Sequence, residues 1–368
     1  MTLSRRKALA VIGGGSILAA SGAAAGFLTT RTPKTALQPW SLAGQYGDPR
    51  QNALSYALLA PNPHNLQPWK VGLEGEARIM LWRDTEKALP ETDPFDRQII
   101  IGLGCFLEQL VLAAGAEGYA CDTNLFPEGQ SGPVAMIDLS EGAMPDPLAV
   151  HILKRTSCKE PYADRPVPAA LANELELMAD VHTDAAMVER LRQLTFDAWL
   201  VEATTPHTMQ ESIDVMRLGK AEINANPDGI DLGGPFMESL ILTGILNRET
   251  LADPQSSGFQ QGIKIYRDLL TKTPAYAVIT SAGNTREDQI EAGRRWLRLN
   301  LVTTGMGLSL HPVSQALQEY PEMAEHYDAV HRLLAPKGHT VQMLGRLGYG
   351  PATARTPRWP LEAKLIDA

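Results

Sequence analysis

Apolar residues recur along this chain with two spacings, and each change of spacing marks an element. Asp48-Pro49 opens a helix, with aspartate as N-cap and proline at the first helical position. Leu54, Ala57 and Leu58 form its apolar stripe. The helix should stop at Ala60, because a residue before proline avoids the αR region. The runs WKVGL and ARIMLWR, separated by EGE, predict a β-hairpin. From Pro94 to Gly118 the spacing returns to three and four, through Ile99, Leu103, Phe106, Leu107, Leu110 and Ala114, which predicts a long helix. PVAMIDLS (133–140) predicts a strand. A second series begins near residue 146. It holds helical stretches at 168–180 and 184–205, a strand AYAVITS (275–281) with Tyr276, Val278 and Thr280 on one face, and a long helix at 287–307. Gly305 and Gly307 are its C-cap candidates, and VQMLGRLGYG (341–350) is a closing strand. The two series echo each other. Each has a long helix ending in glycine, a short polar stretch and then a proline, GAEGYACDTNLFP (115–127) and GMGLSLHP (305–312).

The amino terminus departs from this pattern. MTLSRRK is basic, and the run that follows to Leu28 carries no charge and is rich in Gly, Ala and Ser. Residues 1–28 therefore read as an export signal or anchor and stand apart from the fold. The adjacent Arg5 and Arg6 resemble the twin-arginine export signal of bacteria. That implies the twin-arginine machinery as a partner, a periplasmic or extracytoplasmic location, and membrane anchoring if the segment is kept. Residues 29–47 read as a linker, 48–145 as an N-terminal half and 146–368 as a C-terminal half. A Gly/Pro/Asn-rich excursion spans about 225–262.

Composition narrows the function. The 368 residues are 44% hydrophobic and carry a net charge of −9, which argues against nucleic acid as a partner. Cys105, Cys121 and Cys158 are widely spaced without a CxxC pair. They offer neither a disulfide framework nor a zinc site, and no metal is expected. Cys105 reads as a small core residue.

Two stretches carry candidate chemistry. In RTSCK, Arg155, Ser157 and Lys159 alternate, so in an extended chain the cation, hydroxyl and cation share one side. That set suits a phosphate and an adjacent electron-rich ring; a solvated basic patch is the plainer reading. In APNPHNLQPW (60–69), prolines stiffen an elbow bearing Asn62 and Asn65. Its amides suit the donor–acceptor edge of a flavin or nucleobase, or satisfy only their own turn. His64 reads as a lining or surface residue and Trp69 as core.

The elbow resembles the APSxxNxQPW signature of the nitroreductase superfamily of FMN-dependent enzymes, with Asn62 in place of the usual first serine. Arg155, Ser157 and Lys159 are similar to the family's R-x-S-x-R/K motif. GLSLHPVSQ (307–315) resembles its ring-approaching loop, and Gly348-Tyr349-Gly350 with Thr356-Pro357-Arg358 resembles its carboxyl-terminal ending. The order departs from ordinary members, since the elbow here precedes Arg155 by about ninety residues. That order resembles the Acg-like branch, in which two nitroreductase-like halves are fused. The resemblance implies an α+β fold with antiparallel-rich central sheets flanked by helices, two similar halves in one chain (a pseudo-dimer), and one FMN between them. It implies that Arg155 and Arg358 hold the phosphate, Ser157 the phosphate or ribityl chain, and Lys159 the ring near N1 and O2. Pro61, Asn62 and Asn65 would contact the flavin from the first half, and Pro312, Ser314 and Gln315 would line N5. Cys158, between two cations, is an activated thiol or a spacer.

The implied activity is an oxidoreductase passing hydride or electrons from flavin N5 to an electron-poor small molecule: a nitroaromatic, quinone or activated alkene. No protein side chain acts as the catalyst. Its reductant or redox partner is unknown, and its state is monomer or homodimer. The alternative is an FMN-sequestering protein, its flavin covered by the 225–262 excursion.

Overall fold

The computed structural model describes residues 30–335 and 338–367; the twin-arginine reading of 1–28 falls outside them. Gln38–Leu42 forms a short helix (α1) after a 3₁₀ turn, and its Trp40 is buried, its ring nitrogen donating to the Thr356 carbonyl at 2.8 Å. The stretch read as linker is thus packed against the carboxyl-terminal tail. Pro49–Ala57 (α2) opens as expected, the Asp48 carboxylate accepting from the Arg50 amide at 2.8 Å.

Trp69–Glu74 (β1) and Arg78–Arg83 (β2) pair as the expected antiparallel hairpin. The long helix is Arg97–Ala116 (α3). It begins three residues after Pro94 because the Asp93 carboxylate caps it, accepting from the amides of Gln98 at 3.0 Å and Ile99 at 2.9 Å. Gly118, at φ +87°, closes its far end. This helix is long and apolar enough to cross a membrane, yet it is packed inside the protein core. Tyr119–Leu125 (β3) follows, then Ala135–Glu141 (β4). The sequence reading missed β3, whose polar residues alternate towards solvent.

The second series contributes Ala169–Leu175 (α4), Asp180–His182 (β5), Ala185–Thr204 (α5), Pro206–Asp214 (α6), Met216–Leu218 (β6), Gly219–Ala225 (α7) and Ile230–Leu232 (β7). Pro235–Leu242 (α8), Arg248–Ala252 (α9) and Ser257–Thr271 (α10) lie within or run on from the 225–262 excursion, which is therefore largely regular structure. Ala275–Ser281 (β8), Arg286–Gly305 (α11), Ser309–Pro312 (β9), Ala324–Leu334 (α12) and Thr340–Gly348 (β10) complete the chain. Thr285 and Asp288 form a capping box at the start of α11, and Gly307 ends it at φ +71°.

The fold is α+β, with two antiparallel four-stranded sheets in the orders β1-β2-β4-β3 and β5-β8-β10-β9. Each sheet takes its own four strands in the order first, second, fourth, third. In each, a twenty-residue helix separates the second strand from the third. The two helices, α3 and α11, cross where glycine meets glycine. A Cβ on Gly104 would lie 2.1 Å from the Ile290 carbonyl oxygen, and one on Gly293 would lie 2.0 Å from that of Ile101. The Cys105 thiol donates to the Gly293 carbonyl at 3.1 Å. Two similar halves are thereby joined through a crossing that only glycine permits.

The main core fills the space between the sheets and includes both long helices. The second sheet is covered on both faces. Ala275, Ala277 and Ile279 of β8 face that core, and Tyr276 and Val278 face a second one built with α5, α10 and α12.

Candidate functional site

The elbow is held in an uncommon backbone conformation. His64, Asn65 and Gln67 all have positive φ, at 46°, 56° and 54°, a state non-glycine residues hold only where their surroundings enforce it. The enforcement is visible. The Asn62 side chain accepts from the Gln67 amide at 2.8 Å and donates to the Ala60 carbonyl at 3.1 Å, so it is turned on its own backbone. Pro63 and Asn62 rest on α3 at Gly102, where a Cβ would approach within 3.1 Å of Pro63.

Gln67 is fully buried and ties three parts of the chain together. Its side-chain amide donates to the Pro227 carbonyl at 2.7 Å, and its oxygen accepts from the Trp359 amide at 2.9 Å. The sequence reading passed over Gln67 as a site residue, although it sits inside the elbow motif.

The two arginines meet beside this elbow. Arg155 donates to the Leu59 carbonyl at 3.0 Å and to the Asn300 side chain on α11 at 3.1 Å. Arg358 donates to the carbonyls of Leu59 and Ala60, both at 3.2 Å, to Thr356 Oγ1 at 2.6 Å and to the Asn65 side-chain oxygen. The Leu59 carbonyl thus accepts from both guanidiniums. Asn65 is held from its other end by the Pro357 carbonyl, which accepts from its amide at 3.1 Å. Both arginines are buried, and among the described residues neither is ion-paired with a carboxylate. Burial pulls Arg155 down to about 10. Burial, and then the neighbouring Arg155, pull Arg358 down to about 9. One N–H of each, the Nε, has no partner. Two adjacent buried cations without a counter-ion fit an anion of high charge density.

Lys159 is exposed. Its charge acts on His64 of the elbow, His311 of β9 and Asp231 of β7. Burial first, then Lys159, lowers His64 to about 4. Burial, then Arg346, then Lys159, hold His311 well below the ordinary imidazole range. Both imidazoles are neutral at neutral pH. Asp231 is pushed up by burial despite the pull of Lys159 and Arg358, from which it stands beyond ion-pair distance. Ser157 bridges Leu310 of β9, setting the 155–159 segment alongside the second sheet.

Pro312 ends β9 opposite Gly345, and Ser314 precedes a 3₁₀ turn, Gln315–Leu317. The Gln315 side chain faces the buried Glu202 carboxyl of α5. Among the described residues no hydrogen bond joins Pro312, Ser314 or Gln315 to the elbow. Cys158 is buried and its thiol is raised by that burial, which favours the spacer reading. Cys105 is likewise raised, to about 12.

A segment from the excursion covers the elbow. The Gly229 amide donates to the Asn65 carbonyl at 3.1 Å. The adjacent Asp228, 1% exposed, accepts from Lys87 at 2.7 Å, Arg217 at 2.6 Å and the Trp359 ring nitrogen at 3.0 Å. First half, excursion and carboxyl-terminal tail are thus latched over the cluster. Two open clefts of about 310 and 410 Å³ lie elsewhere. One is lined by Gln318, Tyr320 and Tyr327, the other by Phe95, Asn284 and Arg286.

No protein-family model matches the chain. It is 26% identical, over 85% of its length and 92% of theirs, to two Mycobacterium tuberculosis proteins named "Putative NAD(P)H nitroreductase", Rv3131 and MT3217. It is 29% identical to "Putative NAD(P)H nitroreductase acg" of the same species, over 32% of this chain and 36% of that one. Among solved structures it is similar to the FMN-dependent nitroreductase NfnB of Mycobacterium smegmatis in complex with NADPH. That likeness has 17% identity and a TM-score of 0.37, and it covers 58% of this chain and 94% of that one. The chain is thus related to mycobacterial proteins named "Putative NAD(P)H nitroreductase".

Proposed function

We propose that this relative of the nitroreductase superfamily is an FMN-dependent oxidoreductase acting on an electron-poor small molecule such as a nitroaromatic, a quinone or an activated alkene. The observation that supports it is the pair Arg155 and Arg358, buried side by side without a carboxylate, each with an unpartnered Nε and both against the carbonyl that precedes the elbow. A phosphate dianion supplies the counter-charge that this pair lacks. Bound FMN supplies the hydride and electron transfer. The chain's own residues bind and orient it. Arg155 and Arg358 hold the phosphate, and Ser157 the phosphate or ribityl chain. Lys159 would stabilise negative charge on the bound ring. Pro61 and Asn65 would present the first half's contacts, with Asn62 shaping the elbow through its own backbone, and Pro312 and Ser314 would supply the loop beside the ring, with Gln315 turned to Glu202. His64 and His311, held neutral, offer hydrogen-bonding groups and no competing charge.

The relatives' names give NAD(P)H as reductant. If the amino terminus directs twin-arginine export, as we propose, a quinol or a redox partner takes that place outside the cytoplasm. A second reading is that the protein binds FMN under a cover and turns over little. The latch at Asp228 and the Gly229–Asn65 bond favour it. Purified protein showing flavin absorption bands supports the first claim, and a colourless protein that takes up no added FMN refutes it. Dithionite reduction followed by p-benzoquinone separates the readings. Reoxidation far faster than flavin release indicates an enzyme, and a ring that is never reoxidised indicates storage.

A further inference from the structure

Helix α8 is inverted relative to an ordinary surface helix. Its single carboxylate, Glu238, is buried, accepting from the Lys220 amide at 2.5 Å and lying 3.7 Å from Arg31. Two of its apolar side chains point outward, Phe236 at 71% exposed and Leu242 at 69%, with Ile245 just beyond at 51%, while Met237, Leu240 and Ile241 are half-buried. Surface helices in water place these groups the other way round, and an apolar surface of this kind marks a contact with an apolar partner.

The place where the described chain begins says which partner. The Lys220 ammonium donates to the Thr30 carbonyl at 2.9 Å, and Arg31 reaches Glu238 on α8 itself. The residues directly after the amino-terminal run therefore lie against this helix. From Ala8 to Thr30 that run carries no charge, and about 20 such residues suffice to cross a bilayer. With that run in lipid, a chain emerging at Thr30 would bring α8 to the headgroup surface with the exposed apolar side chains of Phe236, Leu242 and Ile245 facing it.

We propose that α8 and the turn to Leu246 form a bilayer-docking surface, Phe236, Leu242 and Ile245 entering the lipid beside the emerging amino-terminal segment. A second copy of the chain is a poor occupant, because a stable interface takes about 800 Å² per partner and one eight-residue helix offers far less. Through Gly233 and Gly234, α8 continues directly from β7, which carries Asp231 and follows the segment covering the elbow. Docking therefore sets that cover against the membrane. The proposal does not rest on the flavin reading.

The test uses the full chain with Cys121 changed to serine, since Cys105 and Cys158 are buried. A nitrobenzoxadiazole dye is attached at Leu242→Cys, at Ile245→Cys, or at Leu177→Cys, a control position 94% exposed in the turn after α4. All three side chains are at least half exposed, so none of the changes empties the core. Each protein is incorporated in vesicles of phosphatidylcholine and phosphatidylglycerol containing nitroxide-labelled lipid. The dye at 242 and 245 is expected to be quenched several-fold more than at 177, at a depth of roughly 5–10 Å. Equal quenching at the three positions overturns the proposal. So does a dye at 242 already shielded from iodide without vesicles, because the amino-terminal run or a second copy then covers the helix.

Discussion

Replacing Gly293 by alanine tests the joint between the halves. The new methyl would stand 2.0 Å from the Ile101 carbonyl oxygen, 2.9 Å from the Cys105 nitrogen and 2.9 Å from the Gly104 Cα. All three atoms belong to the backbone of α3, so no side chain can rotate away. Reaching ordinary contact requires the helices to part by more than about 1 Å, and a gap of that size forfeits roughly a quarter to a half of the dispersion energy across it. Isolated overpacking costs about 1–3 kcal/mol; with Leu103, Phe106, Ile290 and Leu297 all fully buried in the same core, the upper end of that range is expected. Gly115→Ala is the control. It sits in the same helix, and its methyl would meet only the Met144 carbonyl, at 3.9 Å. It should stabilise by about 0.5–1 kcal/mol, the ordinary gain of alanine over glycine in a helix. The assay is urea unfolding followed by circular dichroism. Gly293→Ala should lower the midpoint and Gly115→Ala should raise it. A Gly293→Ala protein at least as stable as the parent would refute the crossing. Because α11 carries Asn300, which holds Arg155, and α3 supports the elbow through Gly102, parting the helices should weaken flavin retention as well.

Arg358→Met should lower FMN affinity about 10- to 100-fold, since charge-assisted hydrogen bonds contribute about 1.5–3 kcal/mol each; titration of the apoprotein with FMN measures it, and unchanged affinity rejects the phosphate assignment. Glu202→Gln should remove a pH dependence. Burial raises that carboxyl from 4.5 to about 7, so the folded state binds its proton more tightly than the unfolded chain. Its contribution is full below pH 4.5, declines as pH rises to 7, and amounts to about 3 kcal/mol. The gap between parent and variant unfolding free energies should therefore widen over that window, and a constant gap contradicts the reasoning. Asp228→Asn should unfasten the cover by stripping Lys87 and Arg217 of their shared buried carboxylate. Hydrogen exchange of residues 227–232 should rise at least tenfold while β8 stays protected, and equal protection of the cover in both proteins counts against the latch.

Much of this was legible in the chain. Asp48-Pro49 announces a helix start, because capping is a local matter of one side chain and one turn; the equally local Thr285–Asp288 cap that starts α11 was not read from the chain, which placed that helix at 287–307. The β8 strand was legible because Ala275 to Ile279 are buried on both faces and form a continuous run with no charged residue. By contrast, β3 was invisible. A strand with one solvated face and residues such as Asp122, Thr123 and Asn124 looks like a loop until β4 pairs with it. The excursion at 225–262 read as irregular because proline and glycine punctuate it, yet they stand at helix starts and turns, as Pro235 and Gly244 do.

The site divides in the same way. Sequence alone determined which residue types are available: an amide-rich elbow stiffened by prolines, two arginines, a lysine and a segment able to approach a ring. Those are properties of side chains and of local backbone restriction, so they can be read along the chain. Only the tertiary structure decided that Arg155 and Arg358, some two hundred residues apart, share the Leu59 carbonyl, and that Gln67 and Asp228 fasten the cover. Contacts between such distant segments follow from packing, which no local pattern encodes.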